Sequence, residues 1–170
     1  MSGPVQVAVA LGSNLGERRR FIERACDAIA GFPRTRVLRR SRLHETEPEG
    51  GPSQGPYLNG VLTLETRLSA RDLLDSLLAV ETELGRVRRE RNGPRVIDLD
   101  LILYGEHRID EPGLQVPHPR AHQRAFVLEP LAEVAAHWRH PSLQCSVAEL
   151  WRRCRDQDAG AVTVPGEVVP

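Results

Sequence analysis

Lysine is missing from this chain: all 23 basic residues are arginine, set against 23 acidic ones. Its absence excludes a Walker-type phosphate lysine, a Schiff base and a Ser–Lys nucleophile. If phosphate is handled, arginine must handle it. Cysteine is scarce as well. Cys26, Cys145 and Cys154 are odd in number and form no C-x-x-C pair, which argues against a disulfide framework or a zinc site. Free thiols suit a reducing cytosol, so a cytoplasmic location is expected. No apolar run approaches membrane-spanning length, and the start "MSGPVQVAVALGSN" lacks the basic n-region of a signal peptide. The balanced net charge gives no hint of a nucleic-acid or membrane partner. At 170 residues, one domain with a proper core is expected.

The elements follow from periodicity. "VQVAVAL" (5–11) reads as a first strand, followed by the turn "GSNLG" and a helix from about Glu17 to Ala30. Phe21, Ala25, Ala28 and Phe32 supply an apolar stripe for that helix, and Gly31 stops it. Residues 35–43 predict a polar strand near an edge, and the Gly/Pro-rich stretch 44–56 a long loop of the kind that is usually functional. "YLNGVLTLET" (57–66) alternates as a strand should. A second helix starts at Ser69, with Asp72 completing a capping-box pattern, and ends at Gly85. After the strand at 96–103 come short helices near 128–136 and 147–155; the last fifteen residues show no pattern. The expected fold is α+β: a ferredoxin-like βαββαβ sheet with helices on one face and extra C-terminal helices. Residues 1–155 would form the domain and 156–170 a loose tail.

The strand "GPRVIDLDLILYG" (93–105) is apolar except for Asp98 and Asp100. Alternation puts Ile97, Leu99, Leu101 and Leu103 on one face and both aspartates on the other. Two like charges so close need something positive between them. Either that face is solvated, as in many one-sided sheets, or the pair holds Mg²⁺, a hard cation that takes a few carboxylates and leaves its other positions to water and phosphate.

Immediately before this strand, "GRVRRERNGPR" (85–95) places Arg86, Arg88, Arg89, Arg91 and Arg95 within ten residues. Such runs are usually solvated, but here donors and carboxylates converge at one strand end in a chain that is neutral overall. Arginine's planar fork matches phosphate oxygens. A polyphosphate with Mg²⁺ needs this combination, acids for the metal and arginines for the remaining charge. "VPHPRAHQRAF" (116–126) adds His118, held between two prolines, and Arg124. "LGSN" (11–14) lacks the glycine pattern of dinucleotide and P-loop motifs, so a turn that admits a ligand closely is all that it implies.

Together these residues resemble the 6-hydroxymethyl-7,8-dihydropterin pyrophosphokinase family of folate biosynthesis. The likeness rests on five blocks in the family's order: "ALGSNLG", "YLNGV", "ELGRVR", "RNGPRVIDLDLI" and "VPHPRAHQRAFVLEPL". The resemblance implies transfer of diphosphate from ATP to the pterin's hydroxymethyl group, with release of AMP. It implies that Asp98 and Asp100 bind two Mg²⁺ ions. Arg86, Arg95, His118 and Arg124 would contact phosphates, and Glu81 and Arg88 would lie near the nucleotide. Thr46, Tyr57, Asn59 and Phe126 would form the pterin pocket. Arg91, with the loops 44–56 and 86–95, would act as a lid. Asn92 and Pro119 depart from the family pattern, standing where many members carry a tryptophan and some a tyrosine. The partners implied are small molecules, acting on a monomer. Two other classes remain. A ferredoxin-like RNA-binding module would need strand aromatics, of which only Tyr57 and Tyr104 are offered. A non-catalytic nucleotide sensor would bind ATP without turnover.

Overall fold

In the computed structural model, residues 3–48, 54–86 and 94–163 are described. The expected Arg88, Arg91 and Asn92 lie outside them. The chain runs β1 (Val5–Ser13), α1 (Arg18–Ala30), β2 (Thr35–Arg40), β3 (His44–Thr46), β4 (Tyr57–Thr66), α2 (Ala70–Glu83) and β5 (Asp98–Tyr104). A hairpin of β6 (Ile109–Glu111) and β7 (Leu114–Val116) follows, then α3 (Ala125–Ala135), the short pair β8 (Arg139–His140) and β9 (Cys145–Ser146), and α4 (Val147–Thr163). The main sheet has the order β2-β4-β1-β5, with β3 also pairing with β4, and its pairings are antiparallel.

Period-two alternation along β1 sorts the core into two layers. Val7, Val9 and Leu11 face α1 and α2, where they meet Ile22, Ala25 and Ile29 of α1 and Leu73, Leu77 and Val80 of α2. The α1 stripe is thus turned from the expected Phe21/Ala25/Ala28/Phe32 toward Ile22, Cys26 and Ile29, with Phe21, Ala28 and Phe32 only half-buried. Ser69 caps α2 as its sequence predicts, its Oγ accepting from the Asp72 N–H at 3.1 Å. The opposite sheet face is covered too: Ala8, Val61, Ile102 and Leu103 pack under Val127, Leu131 and Val134 of α3. Helices therefore lie on both faces of the sheet, α1 and α2 on one and α3 on the other.

Two departures position the site. The expected strand 35–43 ends at Arg40 and resumes at His44 as β3, because one residue is extra between them: Arg40 pairs with Leu62 and His44 with Asn59, four residues along one strand against three along the other. In β5, Val9 pairs with Leu101 and Ala8 with Leu103, leaving Ile102 as an extra residue. This bulge carries Leu103 to the α3 face, so it does not share the face of Leu99 and Leu101. Finally, α3 begins at Ala125, three residues before the expected start, and α4 takes in residues 156–163 of the stretch read as a tail.

Candidate functional site

At one end of the α3 face the sheet is uncovered. Gly12 in the central strand pairs with Asn59 on one side and Asp98 on the other, and Ala10 pairs with Asp100. These residues, with Tyr57 of β4 and Thr46 of β3, share the open face. Gly12 makes room for its neighbours: a Cβ there would come 2.9 Å from Asn59 Oδ1 and 3.4 Å from the Tyr57 ring, so Asn59 would have to shift. Its missing side chain lets both lie across β1, and the Asn59 amide donates to Thr46 Oγ1 at 2.6 Å.

Two clefts meet over this floor. The larger, about 630 Å³, is bounded by Glu81, Arg86, Arg95, Asp98, Asp100 and His118, with Leu74 and Leu78 of α2 and the β6–β7 hairpin forming its outer walls. The smaller, about 390 Å³, is lined by Thr46, Tyr57, Asn59, Arg120, Arg124 and Phe126. Arg95, Asp98 and Asp100 border both. The expected residues that fall within the described chain are thus gathered at one place. Arg124 lines the smaller cleft, its guanidinium 5.5 Å from the Phe126 ring centre.

The acids and arginines are already engaged. Arg86 Nη1 bridges Glu81 Oε2 at 2.6 Å and Asp98 Oδ1 at 3.0 Å, while Arg95 Nη1 reaches Asp98 Oδ2 at 3.2 Å. Glu81 is 2% exposed, and its Oε2 also accepts the Leu99 N–H at 2.7 Å. It therefore fixes Arg86 against the start of β5. Arg86 Nε is buried without a hydrogen-bond partner among the described residues. Asp100 has its carboxyl pushed up to about 7 by burial, then by the charges of Asp98 and Glu81. Two neighbouring carboxylates, one of them held back from ionising by burial and by its neighbours' charge, form a donor set that fits Mg²⁺.

His118 is held by its backbone N–H on Ile102 O at 3.0 Å, so the carbonyl of the bulge residue fixes it. Its Nδ1 accepts from the Arg120 N–H at 3.2 Å, which leaves the proton on Nε2. Burial and Arg124 hold its pKa below the usual histidine value, so the ring is a neutral donor at pH 7.

Sequence reasoning missed Asn14. Its Oδ1 accepts the Arg95 N–H at 2.9 Å and its N–H donates to Arg95 O at 3.1 Å. Its amide donates to Gln54 Oε1 at 2.6 Å and Gly55 O at 3.1 Å. One side chain thus ties Arg95 to the segment entering β4. The "GSN" turn was a signal, but its partners were not visible. The β6–β7 hairpin was also missed, because three-residue strands carry no period, and Arg120, legible as part of the basic group His118, Arg120, His122 and Arg124, was given no site role.

Comparison with known proteins shows the family of the chain. The family model for 7,8-dihydro-6-hydroxymethylpterin-pyrophosphokinase (HPPK) matches residues 8–136. The chain belongs to this family. Among HPPK relatives, the Pseudomonas aeruginosa 2-amino-4-hydroxy-6-hydroxymethyldihydropteridine pyrophosphokinase is 49% identical over 136 residues, covering 80% of this chain and 84% of that protein. The Bacillus subtilis enzyme of the same name is 40% identical over 126 residues, covering 74% and 75%. The crystal structure of wild-type Plasmodium falciparum HPPK-DHPS shares the fold, with a TM-score of 0.67 at 12% identity, over 88% of this chain and 44% of that one. All five sequence blocks that carry the HPPK resemblance fall at least partly within the matched residues.

Proposed function

We propose that the two clefts are the halves of one diphosphotransfer site, the larger holding ATP and the smaller the pterin. The chain is a pyrophosphokinase of 6-hydroxymethyl-7,8-dihydropterin in folate biosynthesis. The pterin's hydroxymethyl oxygen bonds to the β-phosphorus of ATP, the bond from that phosphorus to the α,β-bridging oxygen breaks, AMP leaves, and the hydroxyl proton passes to solvent. The observation that carries this reading is the shared border: Arg95, Asp98 and Asp100 line both clefts, where donor and acceptor must meet.

Asp98 and Asp100 would hold Mg²⁺, two ions by family resemblance, which neutralise triphosphate charge when bound. The remaining work falls to the chain's own residues. Arg86 and Arg95 leave their contacts with Asp98 for phosphate oxygens, and His118 donates from Nε2. Asn59 and Thr46 hydrogen-bond the pterin edge, while Tyr57 and Phe126 cover its faces. No residue within reach is required as a general base, because phosphoryl transfer depends chiefly on alignment and charge. Arg88, Arg91 and the loops 44–56 and 86–95 would close over both ligands, excluding water that would otherwise hydrolyse the triphosphate. The order β1-α1-β2-β3-β4-α2-β5, with β2 and β3 taken as two pieces of the expected strand 35–43, supports a ferredoxin-like reading of residues 1–155, with 156–170 as an appendage. We further read the protein as a cytoplasmic monomer that binds no nucleic acid; no helix among the described residues is long and apolar enough to cross a membrane.

The test is to mix protein, ATP, Mg²⁺ and the reduced hydroxymethylpterin and separate the adenine nucleotides. AMP in step with pterin consumption supports diphosphate transfer. ADP, or ATP bound without turnover, overturns it.

A further inference from the structure

The pterin cleft has two walls with different origins. Thr46 comes from β3, a three-residue strand, and Phe126 from the first turn of α3. Whatever joins β3 to α3 sets the gap between them. Both rest on the same sheet, β3 by pairing with β4 and α3 by packing Val127, Leu131 and Val134 against it, and a direct contact between them sets how closely they approach at the cleft.

One side-chain cluster makes this junction. Glu133 of α3 accepts three hydrogen bonds from the residues that open β3. Its Oε1 takes the Arg42 N–H at 2.9 Å, and its Oε2 meets His44 Nε2 at 2.6 Å and the Arg42 guanidinium at 3.4 Å. Glu129 approaches the other nitrogen of the same ring, 3.8 Å from His44 Nδ1. His44 and Glu133 are each about one-fifth exposed, so the contact is partly shielded from water. Hydrogen bonding to Arg42 and His44 holds the Glu133 carboxyl below the usual carboxylate range despite its burial.

Helix geometry links this cluster to the cleft. Phe126, Glu129 and Glu133 are spaced i, i+3, i+7, so they form one stripe down the same side of α3. Two turns of helix, roughly 10 Å, separate Phe126 from Glu133. Across the gap, His44 and Thr46 are two residues apart on β3 and share its face, paired with Asn59 and Tyr57 of β4. A rigid helix and a rigid strand thus run side by side, pinned at His44–Glu133 and open at Phe126–Thr46.

From this arrangement, and resting on the assignment of the smaller cleft to the pterin, we propose that His44 and Glu133 are positioning residues for substrate specificity. They fix the distance between the Phe126 ring and the Thr46–Asn59 pair, and so the fit of a flat bicyclic heteroaromatic. They touch neither the phosphates nor the acids, which lie on β5. Loss of the pin should therefore weaken pterin recognition and leave nucleotide recognition alone.

The experiment compares wild type with His44→Ala, His44→Gln and Glu133→Ala in the full chain, with folding checked by circular dichroism and thermal unfolding. KM for each substrate, kcat, and the Kd of 6-hydroxymethylpterin by fluorescence titration are read for each protein. The expected result is a rise of about tenfold or more in pterin KM and Kd for both alanine variants, with ATP KM and saturating kcat within about twofold of wild type. His44→Gln, whose amide can still donate to Glu133, should recover most of the loss. Wild-type pterin constants in a folded His44→Ala overturn the proposal. So does a loss spread equally over both substrates that His44→Gln leaves unrepaired, which marks the contact as merely structural. A wild-type protein that neither binds pterin nor releases AMP refutes the cleft assignment instead, a separate outcome read in the same plate.

Discussion

Asp100→Asn should stabilise the metal-free protein while destroying its activity. The Asp100 carboxyl is pushed up to about 7 from an ordinary 3.8 by burial and by the charges of Asp98 and Glu81. A group whose folded-state pKa is raised binds its proton more tightly in the folded chain. Its contribution is fully present below about pH 4 and is lost as pH rises toward 7. A shift of about three units is worth about 4 kcal/mol, which the open mouth of the cleft reduces to roughly 2–4 kcal/mol. Asparagine has no charge to desolvate, so it escapes this cost. In EDTA the variant and wild type should unfold at similar temperatures near pH 4 and diverge with pH. By pH 8.5 the variant should be higher by roughly 5–12 °C. Adding Mg²⁺ should then raise the wild type and not the variant, because the cation needs the missing carboxylate. Differential scanning calorimetry across pH reads this directly. Parallel curves, or a variant less stable at pH 8.5, would refute the view that Asp100 is an electrostatically strained group awaiting a cation.

Three further outcomes follow from individual contacts. Gly12→Ala should displace Asn59 from its 2.9 Å approach, raising pterin KM about tenfold or more and costing roughly 1–3 kcal/mol of stability; unchanged kinetics would show that the floor of the cleft is not tight there. Asn14→Ala leaves the Arg95 N–H without its acceptor, so stopped-flow single-turnover rates should fall about tenfold to a hundredfold with little change in ATP binding. Asn14→Asp, which keeps that acceptor alone, should fall between, and equal rates for all three proteins count against a positioning role. Arg86→Gln removes the charge that buried Glu81 and Asp98 share, which should lower stability by roughly 1–3 kcal/mol in urea titrations beyond any loss of turnover. A well-folded but inactive Arg86→Gln would mean that Glu81 finds another partner.

How far the sequence could be read depended on the range of the interactions involved. β1, β4 and α2 were legible because local rules set them: alternation in "VQVAVAL" and "YLNGVLTLET", and a Ser69–Asp72 cap formed within one turn. The stripe on α1 was misjudged because two overlapping apolar sets, Phe21/Ala25/Ala28/Phe32 and Ile22/Ala25/Cys26/Ile29, fit the helical period, and only the sheet chooses between them. The face of Leu103 was misjudged because a bulge is a property of two strands, and one strand's sequence does not reveal it. Asp98, Asp100, Arg86 and Arg95 were legible as a site because they lie within fifteen residues of one another. Asn14 was not, because it acts on Arg95 from 81 residues away.

The two carboxylates sit in an otherwise buried strand because that strand changes environment along its length. On the α3 face, Leu103 lies beside Ala8 beneath the helix, whereas Asp98 lies beside Gly12 beyond its first turn. The boundary between the dry and wet halves of one sheet face is therefore the N-terminus of α3, at Ala125 and Phe126. The bulge at Ile102 falls between these halves and serves both. It turns Leu103 into the α3 core, and the carbonyl of Ile102 holds the His118 backbone over the acids. A regular strand would keep Leu103 on the α2 side with Leu99 and Leu101, and would not set that carbonyl apart at the bulge. The local irregularity of β5 thus lets one strand serve as core at one end and as the shared floor of the two clefts at the other.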